Sequence, residues 1–204
     1  MRDLIDFQEY GKAFPDKPIM ITFDDGYYNN YVNAFPLFKK HKIKCVMSVV
    51  GKYIDDNYKN GKLSPTGSHV TYEQIEEMHK SGFVEIQCHT YNMHNSKGRL
   101  GMSKKKKETL EEYQKALKED LMRLQTNLKE KLNITCTTVC YPFGEYSKET
   151  EGIIKGLGFK AALTCNEGIN VITKDSNLFY LKRYNRPYGK SSESFFKKIE
   201  VNLN

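Results

Sequence analysis

The sequence predicts an α/β domain built from βα units around a mainly parallel sheet. Two observations support this expectation. Short apolar runs rich in β-branched residues, typical of buried strands, alternate with stretches whose apolar residues recur at helical spacing. Polar side chains that can take part in catalysis or metal binding also follow directly after several of these runs, as expected at the carboxyl edge of a parallel sheet. The alternation alone leaves open whether the sheet is open or closed into a barrel.

Six strands are predicted, and the first is the most informative. Residues 18–23 form an apolar run that stops at the adjacent carboxylates of Asp24 and Asp25. The other predicted strands are residues 43–50, 83–88, 135–141, 160–164 and 177–182.

Helices are predicted between the strands from apolar residues three and four apart. The longest, residues 110–132, has a leucine or tyrosine at almost every turn, and Thr71 with Gln74 forms a capping box at the start of another. Residues 52–69 are polar and contain Asn-Gly and Ser-Pro pairs, which predicts a loop. The other predicted helices are residues 3–10, 31–41, 148–157 and 191–201.

Length and composition fit a single domain spanning residues 1–204. No apolar run approaches the roughly 20 residues that a membrane span needs. The first residues lack the basic start and apolar core of a signal peptide. We therefore expect either a cytoplasmic protein or the soluble part of a longer one. Because the chain begins in a helical pattern, it is open whether an upstream strand of a barrel is missing.

The formal net charge of +7 is best explained by a lysine-rich, solvated surface. Contact with an acidic polymer, such as an anionic cell envelope, would also fit. Nucleic-acid binding is disfavoured because the aromatic and glycine-rich signatures of common RNA-binding modules are missing. The five cysteines form no CxxC pair, and their odd number argues against a disulfide framework, so we expect mostly buried free thiols.

Asp24 and Asp25, side by side at a strand end, fit either an ordinary turn or a reactive site. Adjacent carboxylates repel unless a cation lies between them or one keeps a proton. Two of the five histidines, His89 and His94, follow the third predicted strand, and imidazoles with a carboxylate are a common ligand set for Zn²⁺ and its neighbours. We therefore predict a metal site. The other histidines are interpreted as structural: His41, His69 and His79.

Three sequence blocks resemble the polysaccharide deacetylase family, also called NodB-homology domains or carbohydrate esterase family four. Residues 22–26 read TFDDG, residues 89–94 read HTYNMH and residues 141–146 read YPFGEY, in the order that the family has them. The resemblance extends from about Pro18 to Pro187. It implies a distorted (β/α) barrel, usually of seven strands, which agrees with the alternation of strands and helices.

The resemblance implies a role for each matching residue. Asp24 is the general base, and the backbone N–H of Phe143 donates to the oxyanion formed in the reaction. Asp25, His89 and His94 are the ligands of a divalent metal, with Zn the first choice and Co, Ni or Fe as alternatives. Ordinary packing remains an equally open interpretation of the two tyrosines in the third block. The implied substrate-side residues are Thr90 beside the metal and Tyr141, Pro142 and Tyr146 along the sugar groove.

The chain also departs from the family pattern. Many members have an arginine two residues before the proline of the third block, where this chain has Cys140, and their histidines are four residues apart rather than five. In both features the chain resembles deacetylases of poly-β-1,6-N-acetylglucosamine and some Gram-positive, sporulation-linked deacetylases. We expect Arg183 or Arg186 to orient Asp24 instead. No histidine follows His94, where the family usually has its general acid, so Asp24 itself is a candidate acid.

The sequence thus predicts a metal-dependent hydrolase that removes N-acetyl groups from a cell-wall polymer or exopolysaccharide containing N-acetylglucosamine. One alternative is a catalytically weak or inactive relative that keeps the metal and binds carbohydrate. A basic nucleic-acid binder is a weaker one. We expect a monomer without a membrane span. Family resemblance implies work outside the cell or in its envelope, and the missing export signal leaves a cytoplasmic location open.

Overall fold

The computed structural model describes residues 1–60 and 63–200, and in these residues it has one curled, parallel sheet of five strands. The strand order follows the chain, and each strand pairs with the next in parallel. Because every crossover steps one strand in the same direction, the sheet curls into a half-barrel, which confirms the predicted barrel class. The strands are β1 (Thr22–Phe23), β2 (Cys45–Val49), β3 (Val84–Cys88), β4 (Thr138–Cys140) and β5 (Ala161–Leu163).

Every helix that the spacing predicts is present, and the structure adds one more. No helix among the described residues combines the length and apolarity that crossing a membrane requires. The α-helices of the described residues are α1 (Arg2–Tyr10), α2 (Phe35–His41), α3 (Gly51–Asn60), α4 (Tyr72–Lys80), α5 (Leu110–Leu132), α6 (Thr150–Gly156) and α7 (Ser192–Glu200).

Helix α5 shows why the helical pattern was informative. Its apolar stripe faces the core, while Leu110 at its start stays exposed. A stripe of this kind buries apolar area on one face and leaves the charged residues in water. The fully buried members of the stripe are Tyr113, Leu117, Leu121, Leu124 and Leu128.

The predicted loop over residues 52–69 is wrong in its first part, because α3 occupies it. Among the α3 side chains whose burial the structure describes, Ile54 is the one buried apolar side chain. The helix therefore shows no clear stripe of buried apolar residues at helical spacing in this part of the chain. The Asn-Gly pair that suggested a loop lies at the end of α3 and extends beyond the described residues.

The first predicted strand is much shorter than its apolar run. Only the two residues of β1 pair with β2, and the preceding Ile19 is 81% exposed. The run is apolar over its full length, yet its first part has no neighbouring strand in the described residues to cover it. The prediction of a strand over residues 18–23 is therefore correct only at its end, and the two residues of β1 are half-buried rather than buried.

The sixth predicted strand, residues 177–182, is reduced to a single bridge. Leu178–Tyr180 form a 3₁₀ turn, which the Asn177 side chain caps by accepting the Phe179 N–H at 2.9 Å. Leu181 then makes one parallel bridge to β5. Local capping thus competes successfully with strand pairing here.

Two apolar residues on the predicted helices are exposed: Leu37 is 54% exposed in α2, and Phe196 is half exposed in α7. A π-helical turn, Asn30–Ala34, precedes α2. The cysteines follow the prediction, since four are buried free thiols and Cys165 is exposed.

The capping box of α4 is confirmed and can be tested. The Gln74 N–H donates to Thr71 Oγ1 at 3.4 Å, and the Thr71 N–H donates to Gln74 Oε1 at 3.0 Å. Thr71→Ala should lower the free energy of unfolding by about 1 kcal/mol, because the helix loses its side-chain cap. Thr71→Ser keeps the hydroxyl and is the matched control. Equal urea midpoints for both variants would contradict a stabilising role for this cap.

Candidate active site

The chemically active side chains meet at the carboxyl edge of the sheet, as predicted. Asp24 and Asp25 follow β1, His89 follows β3, and the Pro-Phe-Gly turn follows β4. Arg183 reaches the same edge from the segment after β5, two residues beyond the Leu181 bridge. Groups far apart in sequence are thus brought together by the parallel strand order.

Each of the three motif blocks carries one non-glycine residue in the left-handed backbone region. Asp25 has φ 68°, Thr90 has φ 69° and Phe143 has φ 58°. Such conformations cost about 1–3 kcal/mol each and persist where the surrounding structure enforces them, often at functional sites. For the β-branched Thr90 the conformation is especially unusual.

Asp25, His89 and His94 converge as expected for metal ligands. Oδ1 of Asp25 lies 3.3 Å from Nε2 of His89 and 3.1 Å from Nε2 of His94, and one ligand atom from each residue lies within 4.8 Å of the others. This Oδ1 is buried and accepts no well-aligned hydrogen bond from the described residues. A buried carboxylate oxygen beside two imidazole nitrogens calls for a cation or a proton between them, so the three residues fit a divalent metal.

The second nitrogen of each histidine is also engaged, as is usual for metal ligands. Nδ1 of His89 lies 2.8 Å from the Cys140 carbonyl oxygen and donates to it when Nε2 is free for a metal. Nδ1 of His94 lies 3.3 Å from the Tyr53 hydroxyl. These contacts orient both Nε2 atoms towards Asp25.

The ionisation states in the site suit metal binding. Burial pushes the pKa of Asp25 upwards, but His89 and His94 outweigh it and hold the pKa below its ordinary value. Burial lowers the pKa of His94 below its ordinary value, against the opposing effect of Asp25. An ionised carboxylate and a neutral imidazole are the forms that ligate metals.

Asp24 forms a bidentate ion pair with Arg183, which answers the question of which arginine orients it. Nη1 and Nη2 of Arg183 each lie 2.8 Å from one carboxylate oxygen of Asp24. The remaining N–H groups of Arg183 donate to Thr22 Oγ1 at 3.0 Å, the Thr164 carbonyl at 2.9 Å and Cys140 Sγ at 3.1 Å. All five guanidinium donors are therefore used.

Arg186 does not take part in this ion pair. Its guanidinium donates to the carbonyls of Pro187 and Lys190, on an exposed part of the chain. Of the two arginines considered from the sequence, the structure brings only Arg183 to Asp24.

The environment of Asp24 keeps it ionised. Burial raises the pKa of Asp24, but the hydrogen bonds and charge of Arg183 together with His89 lower it below the ordinary value. Asp24, His89 and Cys140 could form a second metal-binding group by distance. Since Arg183 already bonds to the carboxylate and the thiol, the Asp25 group is the better candidate for a metal.

Phe143 lies beside the metal ligands. Its ring centroid is 4.3 Å from that of His94, and its side chain is 44% exposed. The neighbouring amides of Gly144 and Glu145 donate to carbonyls of the same turn, whereas the Phe143 N–H donates to no carbonyl of the described residues. A free N–H in a left-handed turn next to the site fits the predicted oxyanion donor.

Three of the four predicted substrate-side residues are buried. The side chains of Thr90 and Tyr141 have no exposed surface, and Pro142 is buried as well. Tyr146 packs on Tyr141, with ring centroids 4.6 Å apart, and on Tyr180. The buried Tyr141 is therefore in the position of a packing residue, whereas Tyr146 is half-buried. Tyr141 lies in the same core cluster as Val139 of β4.

Other aromatic residues surround the site, and the sequence interpretation missed them. Tyr53 of α3 lies between His94 and His69, with ring centroids 6.0 and 4.3 Å away, and His69 stacks on Tyr27 at 4.7 Å. Tyr27 is 40% exposed. Tyr27 directly follows the first motif block, which could have drawn attention to it, but Tyr53 was hidden in the segment interpreted as a loop.

Comparison with known proteins gives one family. Residues 11–162 match the sequence profile described as polysaccharide deacetylase. The chain is 27% identical over 185 residues to the poly-beta-1,6-N-acetyl-D-glucosamine N-deacetylase of Staphylococcus aureus (strain MRSA252), covering 90% of this chain and 59% of the relative. It is 29% identical over 185 residues to the putative polysaccharide deacetylase YxkH of Bacillus subtilis (strain 168), covering 91% and 57%. The chain thus spans less than two thirds of these curated relatives.

Solved structures agree with this result. The BpsB deacetylase domain of Bordetella bronchiseptica superposes with a TM-score of 0.75 and 27% identity, covering 88% of this chain and 75% of that one. IcaB from Ammonifex degensii gives a TM-score of 0.73 and 26% identity, covering 95% and 76%.

The role of Arg183 can be tested by substitution. Arg183→Ala should lower the turnover number by at least about 10-fold, because Asp24 loses the partner that orients it and keeps it ionised. Metal content should not change, since Arg183 contacts none of the three ligands. Arg186→Ala is the matched control and should behave like the wild type. Unchanged turnover of Arg183→Ala in an acetate-release assay would contradict the role.

Proposed function

The chain belongs to the polysaccharide deacetylase family, and we propose that it is a metal-dependent hydrolase that removes N-acetyl groups from a polymer containing N-acetylglucosamine. The observation that carries this proposal is the Asp24–Arg183 pair directly beside the cluster of Asp25, His89 and His94. An ionised carboxylate held next to a metal site has the position of a base that takes a proton from water.

Asp25, His89 and His94 hold the metal in this proposal, with Zn²⁺ the first choice and Co²⁺, Ni²⁺ or Fe²⁺ as alternatives. A divalent ion bound there supplies Lewis-acid chemistry, lowering the pKa of water and polarising the acetamide carbonyl. The protein contributes one ionised carboxylate and two oriented imidazoles.

Asp24 moves the proton. It accepts a proton from the attacking water and returns it to the leaving nitrogen as the C–N bond breaks, which yields acetate and a free amine. Arg183 keeps the carboxylate fixed through both transfers, and the Phe143 N–H donates to the oxyanion between them. The alternative of an inactive, carbohydrate-binding relative gains no support, because the base, its arginine and the ligand set are all present.

We extend to this chain the substrate class of its Staphylococcus aureus relative, which is named for poly-beta-1,6-N-acetyl-D-glucosamine. Exposed aromatic rings beside the ligands are suitable for packing against sugar rings, and the candidates are Tyr27 and Phe143. They replace Tyr141 and Pro142 in this role. Tyr146 is retained only as a packing residue behind the third block.

We further propose that the protein acts as a monomer in the cell envelope or outside the cell, where polymers of this class are found. The net charge of +7 suits contact with an anionic envelope polymer. No nucleic-acid partner is part of the proposal.

The central test is acetate release from β-1,6-linked N-acetylglucosamine oligomers. The wild type should release acetate, lose this activity with a chelator and regain it with Zn²⁺ or Co²⁺. Asp24→Asn should lower turnover by about 10²-fold or more while the protein still binds the metal, since the amide cannot accept the proton. Absence of acetate release with every metal, or full activity of Asp24→Asn, would contradict the proposal.

The substrate contact of Tyr27 gives a separate prediction. Tyr27→Ala should raise the KM for oligomers about 2- to 10-fold with a smaller change in kcat, because stacking of a ring contributes roughly 0.5–1.5 kcal/mol. Tyr10→Ala removes another exposed tyrosine, on α1, and is the control. If both variants have the wild-type KM, Tyr27 does not bind the polymer.

A further inference from the structure

The turn between the two histidine ligands has an unfavourable backbone that must be held from outside. Thr90, directly after His89, is β-branched and adopts φ 69°. Within the turn, the Met93 N–H donates to Thr90 Oγ1 at 3.1 Å. The separation of His89 and His94 therefore depends on neighbouring elements.

Backbone N–H groups at the start of α3 donate to two carbonyl groups of this turn. The Gly51 N–H donates to the Thr90 carbonyl at 3.1 Å, and the Lys52 N–H donates to the Tyr91 carbonyl at 2.7 Å. These are N–H groups of the first helical turn, which have no acceptor inside the helix. The approach is so close that a Cβ on Gly51 would lie 2.5 Å from Cδ2 of Tyr91.

The carboxylate of Asp120, on α5, accepts hydrogen bonds from two backbone amides of the same turn. Its Oδ1 accepts the Tyr91 N–H at 2.7 Å, and its Oδ2 accepts the Asn92 N–H at 2.8 Å. Both oxygens of one carboxylate thus fix two consecutive peptide groups, midway between the ligands.

The Tyr91 side chain adds a third attachment. Its hydroxyl donates to Asp55 of α3 at 2.8 Å, and the guanidinium of Arg123 lies over its ring at 3.8 Å. The turn is consequently held between α3 and α5. Among the described side chains of α3 and α5 that contact the turn, Asp120 is the one that accepts backbone hydrogen bonds with both of its carboxylate oxygens.

We propose that Asp120 is a positioning residue for the metal site, because it fixes the backbone between His89 and His94 and so sets the distance between their Nε2 atoms. The inference rests on the proposed metal function of these two histidines. Without the carboxylate, two amides lose their acceptor, and Thr90 is free to relax to a backbone conformation that separates the ligands.

The test measures metal binding directly, without substrate. Asp120→Asn keeps the size of the side chain but offers one acceptor oxygen, with an NH₂ group facing the other amide. The dissociation constants for Zn²⁺ and Co²⁺, measured by chelator competition, should rise about 10- to 100-fold, as found when outer partners of ligands are removed. Glu119→Gln, an exposed neighbour on α5, is the matched control and should bind like the wild type.

A merely structural role makes a different prediction. In that case Asp120→Asn lowers the melting temperature of the metal-free protein but leaves the metal dissociation constant unchanged, which overturns the proposal. If Asp120→Asn does not fold, Asp120→Glu decides, since it keeps the charge and displaces the acceptors by one methylene. A raised dissociation constant for this variant supports positioning, and a wild-type value overturns it.

The outcome also separates this inference from the proposed function. If the wild type binds neither Zn²⁺ nor Co²⁺, the metal site itself is refuted together with the inference. If the wild type binds metal and the Asp120 variants bind equally well, only the positioning role is wrong.

Discussion

The ion pair between Asp24 and Arg183 is the interaction on which the site depends most. The half-barrel has β1 at one edge and β5, extended by the Leu181 bridge, at the other. Arg183 follows this bridge, and its five donors bind Asp24, Thr22 of β1, the Thr164 carbonyl and Cys140. It thereby joins the two edges of the sheet while holding Asp24. Removing one partner of such a half-buried pair leaves the other charge uncompensated.

Two adjacent carboxylates remain ionised here because the backbone directs them to different partners. Asp25 has a left-handed conformation, so its side chain diverges from that of Asp24. Asp24 meets a guanidinium, and Asp25 meets two imidazoles. Burial raises the pKa of each carboxylate, but the neighbours of that carboxylate lower it by a larger amount, so both pKa values lie below the ordinary value. The repulsion inferred from the sequence is thus reduced because each carboxylate has its own partners.

The fold and the convergence of Asp25, His89 and His94 were predictable because each rests on a local pattern. Strand ends followed by Asp25 and His89 point to one edge in any parallel sheet, and α5 has a regular apolar stripe. Helix α3 was not predicted, and Ile54 is the one buried apolar side chain among those of its residues whose burial the structure describes. Both faces of β4 are buried, and so is Tyr141, which follows it; a three-residue strand does not reveal this from its sequence.

Contacts between residues far apart in the chain were the other feature that the sequence could not predict. Arg183 was a candidate for orienting Asp24, but so was Arg186, and spacing could not distinguish them. Asp120 looks like any acidic residue on the solvated side of a helix, next to the buried Leu121. Its importance becomes visible only when α5 packs beside the histidine turn, because the groups it binds are backbone amides that carry no sequence signature.

The order of these residues along the chain also bears on how the protein is made. The ligands and the groups that support them, from Asp25 through Asp120 to Cys140, are synthesised before Arg183. In the proposed function, the candidate ligands of a nascent chain are therefore complete before the guanidinium that binds Asp24 has been made. The proposed metal site and the proposed proton carrier thus depend on different parts of the chain, and only the second needs the segment after β5.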